Sequence, residues 1–216
     1  MNPGLRIAAL ALLLSGCATW RPPPPAPIEW DSYREQLESL RKFTLVGRIS
    51  SNAQSGTANL RWQQTGGEFV ARFSGPLGIG ALTLAGTAEQ VEIKSKGETV
   101  VTHDPEGYLF ERLGWTLPLA SLRSWARGLP TPQSTDLRWD NYGRLAGLRQ
   151  EDWQVVYEEY HAANGWELPK LIVIERPGLK IKLAVDDWIS LPPAVPLKAP
   201  VVQPDPPVFV PTTPAV

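Results

Sequence analysis

The sequence predicts a mainly β fold, in which one curved antiparallel sheet of about eleven strands carries three α-helices on its concave side. Short runs that alternate between apolar and polar residues recur over 43–103 and 135–188, and turn-forming residues separate them. The connections between these runs are too short for parallel pairing, which needs a crossover of roughly a dozen residues. A sheet of this size curls, so the helices are expected to cover its hollow side.

The first helix is predicted for about residues 31–42. Its apolar face recurs at spacings of three and four, at Trp30, Tyr33, Leu37 and Leu40. From Phe43 the period changes to two, which is typical of strands. Six strands are predicted in this part of the chain, in the runs FTLVGRISS, GTANLRWQQ, GEFVARFSG, IGALTLAG, QVEIKS and ETVVTH.

Two further helices are predicted in the middle of the chain. Asp104 and Pro105 are typical of a helix start, because they offer an N-cap side chain and a proline at the first helical position. The next helix begins at Pro118, and Gly128 and Pro130 end it. About five strands then follow, in the runs TDLRWD, GRLAGLRQ, DWQVVYEEY, LPKLIVIER and LKIKLAVDDW.

The amino terminus indicates a lipoprotein. Arg6 precedes the apolar run IAALALLLSG, which is too short to span a bilayer and which leads into Leu-Ser-Gly-Cys, a pattern that resembles the signal of bacterial lipoproteins. Residues 1–16 are therefore predicted to be a signal peptide, and Cys17, the only cysteine, is predicted to carry a diacylglycerol and an N-acyl chain. Ala18 stands where such families place aspartate for retention in the inner membrane, so the outer membrane is expected.

Proline-rich segments flank the predicted domain of residues 30–189. Residues 17–29 contain RPPPPAP, which favours polyproline II and predicts a linker that holds the domain away from the membrane. Residues 190–216 are so rich in proline that a helix interior or a strand ladder is excluded, and a disordered tail is predicted.

Composition and motifs do not favour an enzyme or a nucleic-acid-binding protein. The chain of 216 residues is 43% hydrophobic and 20% charged with a net charge of −1, which is ordinary for a globular domain. Its two histidines, His103 at a strand-to-helix turn and His161 in a turn HAANG, have no catalytic or metal-binding motif around them. No metal and no cofactor is therefore expected.

Three features remain open at this point. Nine tryptophans and many large apolar side chains are present, and those that face the predicted helices form either a closed core or a ligand cavity. Leu77 stands in a turn between Gly75-Pro76 and Gly78, where polar residues are usual, and either folds back on the sheet or points outward. Near the first strand, Arg41, Lys42 and Arg48 are either a solvated edge or a contact for anionic headgroups.

Several segments together resemble the LolB family of outer-membrane lipoprotein receptors. The resemblance covers about residues 30–189. The segments that carry it are LVGRIS, RWQQTGGEFVARFSGPLGIGALTLAG, LGWTLPLASLRSWARGLP, YGRLAGLRQEDWQVVYEEY, LPKLI and KIKLAVDDW. The most specific pieces are the Pro-Leu-Gly turn, the block from Leu117 to Pro130 and the strand from Gln150 to Tyr157.

The resemblance implies the fold of the LolA and LolB lipoprotein carriers, a half-open barrel with a helical lid. It implies a monomer on the periplasmic face of the outer membrane of a Gram-negative bacterium, which accepts client lipoproteins from a LolA-like carrier and inserts them into the phospholipid bilayer. It also implies a membrane-insertion loop of Gly75, Pro76, Leu77 and Gly78, with Leu77 exposed.

An acyl-chain cavity is the binding site that this family implies. Its predicted wall consists of inward-facing apolar residues, which are Leu45, Leu60, Trp62, Phe69, Phe73, Leu82, Leu84, Leu122, Trp125, Val155, Tyr157, Ile172 and Trp188. A general carrier of hydrophobic ligands, or a structural lipoprotein with a filled core that acts through its tail, is the alternative.

Overall fold

A computed structural model describes residues 28–53, 56–75, 80–114 and 116–197. Several predictions lie outside the described residues: the signal peptide, the lipid on Cys17, most of the linker, residues 198–216 of the tail, and Pro76, Leu77 and Gly78 of the predicted insertion loop.

The predicted fold class is confirmed. Eleven antiparallel strands form one sheet in the order β6-β5-β4-β3-β2-β1-β11-β10-β9-β8-β7. The elements are α1 (Trp30–Ser39), β1 (Lys42–Ser51), β2 (Thr57–Thr65), β3 (Glu68–Gly75), β4 (Gly80–Gly86), β5 (Val91–Ser95), β6 (Glu98–Thr102), α2 (Pro105–Leu113), α3 (Leu119–Trp125), β7 (Thr135–Trp139), β8 (Leu145–Gln150), β9 (Trp153–Ala163), β10 (Trp166–Arg176) and β11 (Leu179–Ile189).

This topology places the helices across the opening of the sheet. The first and last strands pair in its centre, with Leu45 opposite Trp188, so β6 and β7 become the two edges. The chain passes from one edge to the other through α2 and α3. Of the helices in the described ranges, none is long and apolar enough to cross a membrane.

The first helix ends earlier than the predicted range of 31–42. It stops at Ser39, and Leu40 leaves the helical conformation with ψ 82° while its N–H donates to the carbonyl of Leu37. The reason is the start of β1, because Lys42 already pairs with Thr65 of β2 and needs extended backbone. The predicted apolar face is confirmed, since Tyr33, Leu37 and Leu40 are buried and Trp30 is half-buried.

The predicted turn around His161 is also wrong. β9 runs on through His161 to Ala163, and only Asn164 and Gly165 form the turn into β10, with φ of 50° and 82°. Asn-Gly is the preferred pair for a two-residue hairpin turn with positive φ at both positions, so the strands can pair up to Ala163 and Trp166.

The first residues of the proline-rich tail pack on the domain. The indole Nε1 of Trp166 donates to the carbonyl of Pro192 at 2.8 Å, and Asn164 Nδ2 donates to that of Leu191 at 3.1 Å. The side-chain amide of Gln36 in α1 donates to the carbonyl of Val195. The prediction of a tail disordered from residue 190 is therefore wrong for residues 191–195. Backbone carbonyl groups of this segment accept hydrogen bonds from the β9–β10 hairpin and from α1.

Candidate functional site

A cleft opens between the concave face of the sheet and the two helices that cross it. Its volume is about 220 Å³. We call it the apolar cleft, because Trp62, Phe69 and Val91 of the sheet face Leu119 and Ala120 of α3 across it. Turns and helix ends complete its rim with Gly67, Thr87, Ala88, His103, Asp104, Pro105, Glu106 and Arg123.

Every predicted wall residue lies in the buried core. Exposures range from 0% to 8% for Leu45, Leu60, Trp62, Phe69, Phe73, Leu82, Leu84, Leu122, Trp125, Val155, Tyr157, Ile172 and Trp188. Trp62 and Phe69 also border the apolar cleft, whereas the others are brought together in the core between sheet and helices. Most of the hollow of the sheet is thus filled by side chains, and the open space lies at one end of it.

Glu106 lies where the two helices that cover the cleft meet. α3 begins after Pro118, which offers no side-chain cap to the free N–H groups of the first turn. The carboxylate of Glu106, in the first turn of α2, lies near the backbone N–H groups of Leu119 and Ala120. Burial raises the pKa of Glu106, and these nearby N–H groups act in the opposite direction. α2 and α3 therefore approach each other where both line the cleft.

A buried glutamine holds α3 to the other side of the sheet. Gln150 of β8 donates through Nε2 to Ser121 Oγ at 2.9 Å, and its Oε1 accepts from Thr131 Oγ1 at 2.5 Å. Trp125 of α3 packs edge-on against Trp153 of β9, with ring centroids 6.5 Å apart. α3 is therefore held against β8 and β9 by one polar cluster and by apolar packing.

Two buried donors in the core have no hydrogen-bond partner among the described residues. They are Trp125 Nε1 of α3 and the Tyr157 hydroxyl of β9. The ring of Tyr157 packs against that of Tyr160, with centroids 5.8 Å apart. An unpaired buried donor costs about 1–3 kcal/mol, so these two groups lower the stability of the packed core.

The family of the chain follows from its sequence over the same region. The model of the family described as "Outer membrane lipoprotein LolB" matches residues 41–188, which span the whole sheet from β1 to β11. This chain belongs to the LolB family. The match begins at Arg41, so α1 and the packed start of the tail lie beyond it.

Proteins named outer-membrane lipoprotein LolB match this chain over nearly their whole length. One from Nitrosococcus oceani is 35% identical over 185 residues, which are 82% of this chain and 92% of the relative. Another from Stutzerimonas stutzeri is 38% identical over 188 residues, covering 83% and 91%. One from Pseudomonas aeruginosa is 37% identical over 198 residues, covering 87% and 97%. The predicted LolB resemblance is thereby confirmed.

A solved structure is also similar to this fold. A LolA superfamily protein from Nitrosomonas europaea aligns with a TM-score of 0.46 and 11% sequence identity, over 74% of this chain and 93% of the other.

Proposed function

We propose that this LolB-family chain is the outer-membrane receptor that accepts lipoproteins from the periplasmic carrier LolA, holds their acyl chains in the apolar cleft and delivers them to the bilayer. The observation that carries the proposal is an apolar cleft, bordered on one side by α2 and α3, in a chain of this family. The residues that act in this process bind and position lipid, and the proposal includes no catalytic step.

The driving force for reception is burial of the acyl chains. Moving one methylene group from water into an apolar site is favourable by about 0.8 kcal/mol. Transfer of acyl chains between proteins without nucleotide therefore requires a receiving site at least as apolar as the donor site. A cleft of about 220 Å³ is small beside the roughly 300–1,000 Å³ of ordinary ligand sites. Reception of an acyl chain therefore requires the cleft to widen, by movement of the helices that cover it.

The proposal places the domain close to the bilayer it serves. Cys17 carries the lipid anchor on the periplasmic face of the outer membrane. The linker of residues 17–29 sets how far the domain can extend from the membrane. A polyproline II segment of this length extends on the order of 35–40 Å at about 3.1 Å per residue. The insertion loop around Leu77 then contacts the bilayer while the client leaves the cleft.

A substitution that fills the apolar cleft tests reception directly. Ala120→Trp introduces an indole at an exposed position of α3 that lines the cleft. The ring therefore fills volume that an acyl chain would occupy and leaves the core unchanged. We expect transfer of a client lipoprotein from its carrier complex to slow about tenfold, with the melting temperature unchanged.

The matched control is Lys182→Trp, which adds the same ring at an exposed position of β11. It should transfer clients like the wild type. Equal rates of client transfer for Ala120→Trp and the control would show that the apolar cleft takes no part in reception. A general hydrophobic-ligand carrier would take up free fatty acid yet leave the client on its carrier.

A further inference from the structure

A second cleft, with a different chemistry, adjoins the apolar cleft. Its volume is about 450 Å³. We call it the basic cleft, because its charged groups are three arginines and one glutamate. It is lined by Glu38, Leu40, Arg41, Gln64, Gly66, Gly67, Arg123 and Arg127. Gly67 and Arg123 line both clefts, so the two are adjacent.

Arg127 is half-buried against neutral acceptors. Its Nη1 donates to the carbonyls of Leu37 and Leu40 at 3.2 and 3.0 Å, and its Nε donates to the carbonyl of Arg123 at 3.2 Å. Burial and then the charge of Arg123 lower the pKa of Arg127 to about 10, with Glu38 opposing and Arg41 adding to the effect. The guanidinium therefore holds the end of α1 next to α3, and its positive charge adds to that of the cleft.

The other two arginines line the same space. Arg41 is exposed and Arg123 half-buried, and the salt bridges among the described residues include neither. Arg48, by contrast, makes two hydrogen bonds to Asp186. Glu38 offsets part of the positive charge of the basic cleft, but three guanidinium groups outnumber it, and an anion placed among them would relieve their repulsion.

We propose that the basic cleft binds the phosphate of an anionic phospholipid whose acyl chain enters the apolar cleft. Guanidinium groups match phosphate oxygens in geometry and charge. The shared residues Gly67 and Arg123 set the head of such a lipid beside the apolar walls Trp62 and Phe69, as an amphiphile requires. The inference rests on the proposed lipid-binding role of the apolar cleft.

Competition between two lipids follows from this arrangement. A client's acyl chains and the chain of a membrane phospholipid would occupy the same apolar cleft, but only the phospholipid adds a contact with the arginines. Entry of an anionic phospholipid from the bilayer therefore favours release of the client. Discharge at the membrane becomes an exchange of one lipid for another.

Short-chain phospholipids in solution test the site on the full-length protein. Calorimetric titration with dihexanoyl phosphatidylglycerol should give a dissociation constant at least about tenfold lower than with dihexanoyl phosphatidylcholine, which has the same chains and no net charge. Inorganic phosphate alone should bind more weakly than phosphatidylglycerol, because it gains nothing from the apolar cleft.

Arginine variants locate the effect. Arg41→Gln and Arg123→Gln should each weaken phosphatidylglycerol binding about fivefold and phosphatidylcholine binding much less, because the choline cation already neutralises its phosphate. Arg34→Gln is the matched control, since Arg34 lies on α1 outside the cleft lining and pairs with Asp31. Arg127 is left intact because it holds the end of α1. Thermal melts establish that each variant is folded.

Four outcomes would overturn the proposal. They are equal affinity for the two phospholipids, unchanged affinity in both arginine variants, phosphate binding as tight as phosphatidylglycerol, and tighter binding of an acidic peptide, which would assign the cleft to a protein partner. Client transfer from the carrier is measured in parallel with the wild type. Transfer without phosphatidylglycerol selectivity refutes this inference alone, and loss of transfer refutes the proposed function.

Discussion

Replacing Leu77 with glutamate is expected to reduce insertion of a client lipoprotein into liposomes by at least about tenfold, while folding and acceptance of the client stay near wild type. Gly75 and Gly80 pair at the ends of β3 and β4, and residues 76–79 join them. Burial of one leucine contributes roughly 1.5–3 kcal/mol, which is enough to favour contact with hydrocarbon at the moment of discharge. A carboxylate at the same position opposes that contact.

The control for this prediction is Leu77→Met. Methionine keeps an apolar side chain of similar volume, so insertion should remain close to the wild-type rate. Both variants should melt at the wild-type temperature and accept client from the carrier. Normal insertion by Leu77→Glu would show that this leucine has no part in delivery.

Replacing Arg144 with leucine is expected to cost about 3 kcal/mol of folding free energy. The guanidinium is only 12% exposed and contacts the carboxylates of Asp140 and Glu167 at 2.8 and 3.0 Å. It also lies over the rings of Tyr142 and Tyr160, at 4.9 and 4.4 Å from their centroids. Burial lowers the pKa of Arg144, but the two carboxylates outweigh this and hold it above its ordinary value. Leucine would leave both carboxylates partly buried without a cation.

Urea unfolding measures this effect, and Arg48→Leu provides the control. Arg48 also makes two hydrogen bonds to a carboxylate, that of Asp186, but both side chains are exposed. Its removal should leave the unfolding midpoint almost unchanged, because water screens such a pair. Equal shifts in the two variants would mean that burial does not set the strength of the Arg144 cluster.

The strands and helices could be predicted because local patterns determine them. Alternation along runs such as GEFVARFSG places Phe69, Ala71 and Phe73 on one face, and the structure buries all three. The start of α2 followed from Asp104, whose carboxylate accepts from the N–H of Gly107 at 2.8 Å. The pair Asn164-Gly165 is also the strongest signal for a two-residue hairpin turn, so this signal alone would have corrected the predicted turn, which begins too early, at His161.

The shape of the site could not be predicted in the same way. Alternation shows which side chains point inward, but not whether helices above the sheet leave space between them. The rim of the apolar cleft includes Thr87 and His103 from turns, and turns have no period that marks a shared surface. Packing of residues 191–195 depends on Trp166 and Gln36, which meet the tail only after the chain has folded.

The role of the chain as a receptor is tested by transfer of a client from a loaded LolA-type carrier to liposomes bearing the full-length chain, with no nucleotide present. We expect the client to leave the soluble carrier and sediment with the liposomes, and liposomes lacking the chain to capture almost none. A client that stays on the carrier in the presence of the folded, membrane-bound chain would show that the chain is not the receptor.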